Sequence, residues 1–389
     1  MRDVRANSGK HAVPAPRKMY GGRRTSVYVP GKGWKTPKRQ AGQTPRPVPR
    51  IELKETTLRE TAPTLVEEKA TGYVVSFDVG SFDIPHPKKA EKGGEDAHFV
   101  FNRKDTQSNT YALAIGVADG VSSWANDGVD PSLYSKQLCE KAFAAAAMES
   151  DPKGIMTYAH ANADALGTST MTVVTLDAAP RPPASEAPPA SSAAPGATLR
   201  ACNVGDSGFR VYRDGRLIHE SRVMEHYFNC PYQLGNKRKV PTSDRPHMAE
   251  CYDVRLSPGD VVVVATDGVF DNLFDKDIGA ICRDLPRDAD DIARKIVRSA
   301  AKNAKDANYV SPFAQEANIR EKVSSGVTTG AGPQPDAGQE GPLAGVAQRF
   351  QTGTILDVFN QFFEDMGIAT GPHKGGKLDD ITCCVAVVN

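Results

Sequence analysis

The chain has 389 residues, 39% of them hydrophobic and 24% charged, with a formal net charge of +1. That balance belongs to a soluble globular protein, and the absence of any run of about 18 apolar residues excludes a conventional membrane-spanning helix. The near-zero charge conceals an asymmetry: residues 1–50 hold 13 Lys/Arg against one acid, Asp3, and the remainder is acidic.

Residues 1–70 open the chain with abundant Pro and Gly and no apolar periodicity, so they are expected to be a disordered basic segment. Their Arg-rich, acid-poor composition is that of an organellar transit peptide, with a cytoplasmic tail as the alternative. The body, 71–389, then alternates short strands with helices. Strands are expected at Tyr73–Asp78, Ala97–Phe101 and Tyr111–Val117, followed by helices at Ser132–Ala147 and Gly154–Ala165. Strands at Ser169–Leu176 and Ala197–Val204 flank a Pro/Ala/Ser-rich insertion near 178–196. Gly208–Arg213, Arg216–His219, Glu250–Arg255 and Val261–Ala265 continue the strands. The helix Asp288–Ala307, a second flexible insertion near 324–345, the helix Leu356–Asp365 and the strand Thr382–Val388 complete the chain. Strands outnumber helices and the helices come in two pairs, a pattern of packed sheets flanked by helices rather than a regular βαβ repeat.

The seven cysteines are odd in number and show no CxxC spacing, so reduced, buried thiols are expected rather than disulfides. Cys383 and Cys384 are adjacent in a strand and should face opposite ways.

Acidic residues cluster at the ends of apolar strands. Glu95 and Asp96 open one strand. Asp119-Gly120 and Asp267-Gly268 each follow one, with Asp271 close behind the latter. Asp206 sits in a Gly-Asp-Ser-Gly turn, and Asp379-Asp380 opens the last strand. One Asp-Gly is ordinarily a turn. Several carboxylates converging would instead concentrate negative charge that a cation stabilises, and an all-oxygen set suits Mg²⁺ or Mn²⁺. Two such ions, bridged by one carboxylate, can activate water and neutralise phosphate charge.

The ordered set GEDAHFV, GVADGVSSW, GTST, NVGDSG, ATDGVFDN and DDIT resembles the PPM-type, or 2C-type, protein serine/threonine phosphatases, from about Val74 to Val388. GVDPSLYS, EHYFNCPYQL and NYVSPFAQEA resemble its short branch, found in mitochondria and plastids. The resemblance implies an α+β fold, a four-layer αββα sandwich with two central antiparallel sheets. It implies that Asp119 bridges two metal ions with the Gly120 carbonyl as a further ligand, and that Asp267 and Asp379 complete the first ion's shell. Glu95 would reach the second ion, supported by Asp96, while Asp206 and Asp271 match the place of a weaker third ion. Asp119 and Asp267 are thus the expected catalytic acids. Phosphoprotein substrates and a monomer are implied; hydrolysis of small phosphate esters and a catalytically weak, partner-binding role are the alternatives. A nucleic-acid partner is not expected, because the basic tail has no interleaved aromatics.

Two positions depart from the family. The phosphate-clamping arginine is replaced by Glu91, leaving Lys92, Lys89 and Lys88 as candidates for that charge, and the histidine after Asp-Gly is replaced by Val121. His98 and His226 are nearby histidines, for which a structural role is expected. Trp124, Phe270 and Phe313 are expected to pack, and neither Ser122 nor Ser207 has the His-Asp partners of a nucleophile.

Overall fold

The computed structural model describes residues 27–29, 33–35, 75–105, 110–178, 196–285, 288–324 and 373–389. The chain divides into two units, Met1–Glu68 and Lys69–Asn389. In the first, the described residues are one short antiparallel pair, β1 (Val27–Val29) and β2 (Gly33–Lys35), which the sequence did not suggest. The second unit carries everything that follows.

Its strands are β3 (Phe77–Ile84), β4 (Ala97–Asp105), β5 (Thr110–Ala118), β6 (Thr168–Ser169), β7 (Met171–Ala178), β8 (Ala197–Val204), β9 (Gly208–Arg213), β10 (Arg216–Glu220), β11 (Glu225–Tyr227), β12 (Cys230–Pro231), β13 (Leu234–Gly235), β14 (Glu250–Leu256), β15 (Val261–Ala265) and β16 (Ile381–Val388). Its helices are α1 (Ser132–Ala146), α2 (Pro152–Asn162), α3 (Asp267–Phe270), α4 (Asp275–Asp284), α5 (Ala289–Ala304) and α6 (Pro312–Ser324). Two five-stranded sheets form, in the orders β10-β9-β15-β16-β3 and β14-β8-β7-β5-β4, and every pairing in them is antiparallel.

Alternation along the strands explains the layering. In β15, Val262 and Val264 face the second sheet, meeting Leu113, Ile115, Val117, Val174 and Leu199. The intervening Val261, Val263 and Ala265 pack under Ile292, Ala293, Ile296 and Val297 of α5. On the far face of the other sheet, Ala114, Ala118, Met171 and Val173 pack against Tyr134, Leu138, Ile155 and Met156 of α1 and α2. The result is helix, sheet, sheet, helix. Strands buried on both faces read as unbroken apolar runs, which is why β15 is wholly aliphatic and β16 adds only Thr382 and two cysteines to its aliphatic residues. Cys383 and Cys384 do point opposite ways, one toward the helices and one between the sheets.

The structure corrects three expectations. The first strand begins at Phe77 rather than Tyr73 and runs to Ile84. Helices α4 and α6 were not anticipated. The expectation of reduced thiols fails for one pair: Cys202 and Cys251 lie directly opposite each other on β8 and β14, with Cα atoms 4.2 Å apart, and are disulfide-bonded. Their 49-residue separation gives no hint of this, because the pairing arises from sheet register. The insertions near 178–196 and 324–345 and the helix expected at Leu356–Asp365 lie outside the described residues, apart from the edges at Ala178, Gly196 and Ser324.

Candidate metal centre

The motif acids collect at one end of the sandwich, where strand ends from both sheets meet. Asp119 follows β5 and Asp267 opens α3 immediately after β15. Asp206 lies in the turn that carries the chain from β8, in one sheet, to β9, in the other. Asp119, Asp206 and Asp267 each present a carboxylate oxygen within 4.8 Å of the others.

The local scaffolding is specific. The Asp119 amide donates to Thr170 Oγ1 (3.2 Å), and the Thr170 amide donates back to the Asp119 carbonyl (3.0 Å). Thr170 Oγ1 also shares a hydrogen bond with Ser207 Oγ (2.7 Å), so the GTST and NVGDSG segments brace the acids they adjoin. Gly120 is required by close approach: a Cβ there would stand 2.6 Å from the Pro131 carbonyl oxygen. Gly268 is tighter still, with the Asp380 carbonyl oxygen 2.1 Å from where its Cβ would be. That Asp-Gly opens the short helix α3 rather than a turn.

Asp379 and Asp380 diverge, as neighbours in extended chain should. Asp379 faces the cluster. Asp380 instead anchors the segment before β4, accepting from the His86 amide (2.6 Å), the Glu95 amide (2.9 Å) and Lys89 Nζ (3.4 Å). Glu95 turns its carboxylate to Lys89 Nζ (2.6 Å) and to the Ser122 hydroxyl, while its carbonyl receives the Gly120 amide (3.2 Å). Asp96 accepts from Thr266 Oγ1 (2.8 Å). Of the three lysines in this segment, Lys89 is the one whose ammonium group reaches the acids.

The residue that sequence reasoning passed over is Lys377. It stands two residues before Asp379, just outside the DDIT motif. Its ammonium group is hydrogen-bonded to Asp267, lies 2.7 Å from Asp271 Oδ2 and stands 3.6 Å from Asp379 Oδ2. The available signal was spacing: in an extended segment, residues 377 and 379 share a side.

Electrostatics mark the centre as short of positive charge. Burial, and then Asp267, Asp96, Asp379 and Asp206, hold the Asp119 carboxyl well above the usual range. Burial and Asp380 do the same for Asp96, and burial and Asp267 for Asp206. Burial lifts Asp271 to about 7 and Asp379 to about 6, with Lys377 opposing in both. Asp96 Oδ1, Asp206 Oδ1 and Asp267 Oδ1 are buried with no hydrogen-bond donor. Hard oxygen donors, close together and unpartnered, fit a hard divalent cation such as Mg²⁺ or Mn²⁺.

The other candidates take different roles. His226 pairs with Asp244 (3.0 Å) and stacks on Tyr232, and burial lowers the pKa of His98, partly offset by Asp83. Trp124 donates its indole N–H to Thr168 Oγ1 (2.7 Å). Phe270 and Phe313 do more than pack: together with Arg210, Glu225, Asp206 and Asp271 they line a cleft of about 150 Å³ beside the acids. Among the described residues no helix is long and apolar enough to cross a membrane.

No family model matches the chain. It is 35% identical over 253 residues to the probable protein phosphatase 2C 55 of Arabidopsis thaliana, covering 62% of this chain and 48% of that protein. It is 34% identical over 250 residues to the probable protein phosphatase 2C 26 of the same plant, covering 63% of this chain and 74% of the relative. The chain thus spans between about half and three quarters of the length of these relatives. Its fold is similar to the X-ray structure of the photosystem II phosphatase PBCP, at 28% identity and a TM-score of 0.57, covering 81% of this chain and 99% of that one.

Proposed function

Because the chain belongs to the protein phosphatase 2C family, whose members are protein serine/threonine phosphatases, we propose that it hydrolyses phosphoserine and phosphothreonine in proteins, with Mg²⁺ or Mn²⁺ held by the acidic cluster. The observation that carries this reading is the convergence of Asp119, Asp206 and Asp267, with the buried Oδ1 atoms of Asp206 and Asp267 left without a protein donor. Asp119, with the Gly120 carbonyl beside it, would serve both ions; Asp267 and Asp379 would hold the first, and Glu95 and Asp96 the second. When bound, the cations supply an activated water and neutralise charge on the phosphate oxygens.

The chain's own residues do the positioning. Thr170 and Ser207 hold Asp119 and the Asp206 turn in register. Lys89 is the side chain suited to meeting a substrate phosphate. Burial works against its charge, but the Glu95 hydrogen bond and the nearby Asp379 and Asp380 raise its pKa overall, so it stays cationic at neutral pH. It offers a point charge where an arginine would offer a planar fork.

The deciding assay measures phosphate release from a phosphothreonine peptide by the full chain, with Mn²⁺ and with chelator. Turnover should require the metal. Lys89→Ala should raise KM about tenfold, and Lys89→Arg should recover much of that loss. Turnover undiminished in chelator, or activity confined to small phosphate esters, would overturn the assignment.

The basic segment 1–50 is proposed to direct the chain to a plastid or mitochondrion. Its composition supports this, and the similar solved structure is a phosphatase named for photosystem II. Imaging the full chain beside one lacking residues 1–50 should show organellar signal only with the segment. Identical diffuse distributions would exclude targeting.

A further inference from the structure

Besides Lys89 at its edge, the acidic centre holds a more deeply buried cation. Lys377 is 9% exposed, and its ammonium group is bonded to Asp267 and Asp271, with Asp379 at 3.6 Å. The Phe313 ring closes another side, 5.2 Å from Nζ to its centroid. The backbone of Lys377 is fixed as firmly as its tip. Asn272, fully buried, accepts from the Lys377 amide through Oδ1 (2.9 Å) and donates to its carbonyl through Nδ2 (2.9 Å). The same Nδ2 donates to the Gly268 carbonyl (2.9 Å), tying the lysine to the helix that begins at Asp267. A long cationic side chain loses considerable rotamer freedom on being confined in this way. The surrounding carboxylates give the ammonium group what a buried charge requires.

We propose that Lys377 is a resident monovalent cation that takes the place of a third divalent ion, limits the centre to two ions, and makes Asp271 a lysine partner rather than a metal ligand. The inference rests on the metal-centre reading above and revises one part of it, the role expected for Asp271. Charge supports it, because the ammonium group offsets negative charge that Asp267, Asp271 and Asp379 bring together. Geometry supports it too, because the ammonium group lies between Asp267 and Asp271, where an ion shared by those carboxylates would sit. An ammonium group meets these carboxylates through hydrogen bonds and needs no octahedral coordination sphere.

The test is the number of Mn²⁺ ions bound per chain, measured by equilibrium dialysis with elemental analysis and by titration calorimetry, alongside thermal unfolding. Wild type should bind two. Lys377→Met, of similar length but uncharged, should bind a third, and Lys377→Arg should return the count to two. In Lys377→Met/Asp271→Asn the third should weaken about tenfold or more. Should Lys377→Met fail to fold, Asp271→Asn alone decides: it should leave two ions bound with affinities unchanged within a few-fold. Three ions on wild type, or an unchanged count in folded Lys377→Met, would overturn the proposal while leaving the metal centre standing. A wild-type chain that binds no Mn²⁺ would overturn the metal centre itself, and this proposal with it.

Discussion

Asp119→Asn should lower kcat by about a hundredfold or more, equivalent to roughly 2.7 kcal/mol of barrier, without loss of the fold. The amide keeps the shape of the carboxylate and its place beside Thr170, but not the charge that would bind two cations at once. Stability should move the other way. In the metal-free protein, burial and the neighbouring Asp267, Asp96, Asp379 and Asp206 already disfavour the ionised form of Asp119. A neutral side chain relieves that repulsion, so the metal-free melting temperature should hold or rise. The stabilisation that wild type gains on adding Mn²⁺ should shrink in the variant. Both are read from phosphopeptide turnover and from thermal melts with and without metal. Wild-type turnover in Asp119→Asn would remove the residue from the centre.

Gly268→Ala should damage fold and activity together. The new methyl would meet the Asp380 carbonyl oxygen at 2.1 Å and Ile381 Cγ1 at 3.1 Å, and the first of these is backbone that cannot rotate aside. A forced separation of this kind typically costs about 1–3 kcal/mol, and the upper end is expected here because α3 and the start of β16 must part. Asp267 opens α3, and Asp379 stands two residues before β16. A displacement of an ångström between catalytic groups can cost about a hundredfold in rate, so turnover should fall by more than tenfold even in the folded fraction. Urea unfolding followed by circular dichroism, with activity measured on the same samples, tests both effects. A variant as stable and as active as wild type would show that the contact relaxes without consequence.

Much of this architecture could be read from the residues. β15 and β16 were visible because burial on both faces leaves little room for polar residues. The acids were visible because each follows or opens such a strand. Their convergence was not readable from composition, and entered through the order and wording of the motifs. What escaped notice depends on partners distant in sequence. Lys377 looks like an ordinary polar residue until Asp267 and Asp271, over a hundred residues earlier, are folded onto it. Asp380 looks like a second metal acid until the His86 and Glu95 amides are seen to occupy it. Cys202 and Cys251 become neighbours only through the register of β14 on β8. Helix α4 was missed because its run is short and Phe274, which precedes it, gives no side-chain cap.

The Asp206 turn is where the chain leaves one sheet for the other, whereas Asp119 belongs to the β5 end and Asp267 to the β15 end. The spacing of these carboxylates is therefore set by how far apart the two sheets stand and how they are slid over one another. That distance is fixed by side chains well away from any ion, such as Val262, Val264, Ile115 and Leu199, filling the gap between the sheets. The aliphatic interior is the gauge block of the metal centre. Adding or trimming a methylene there can mistune the spacing of the acids without touching any of them, so selection acting on the centre reaches residues remote from it.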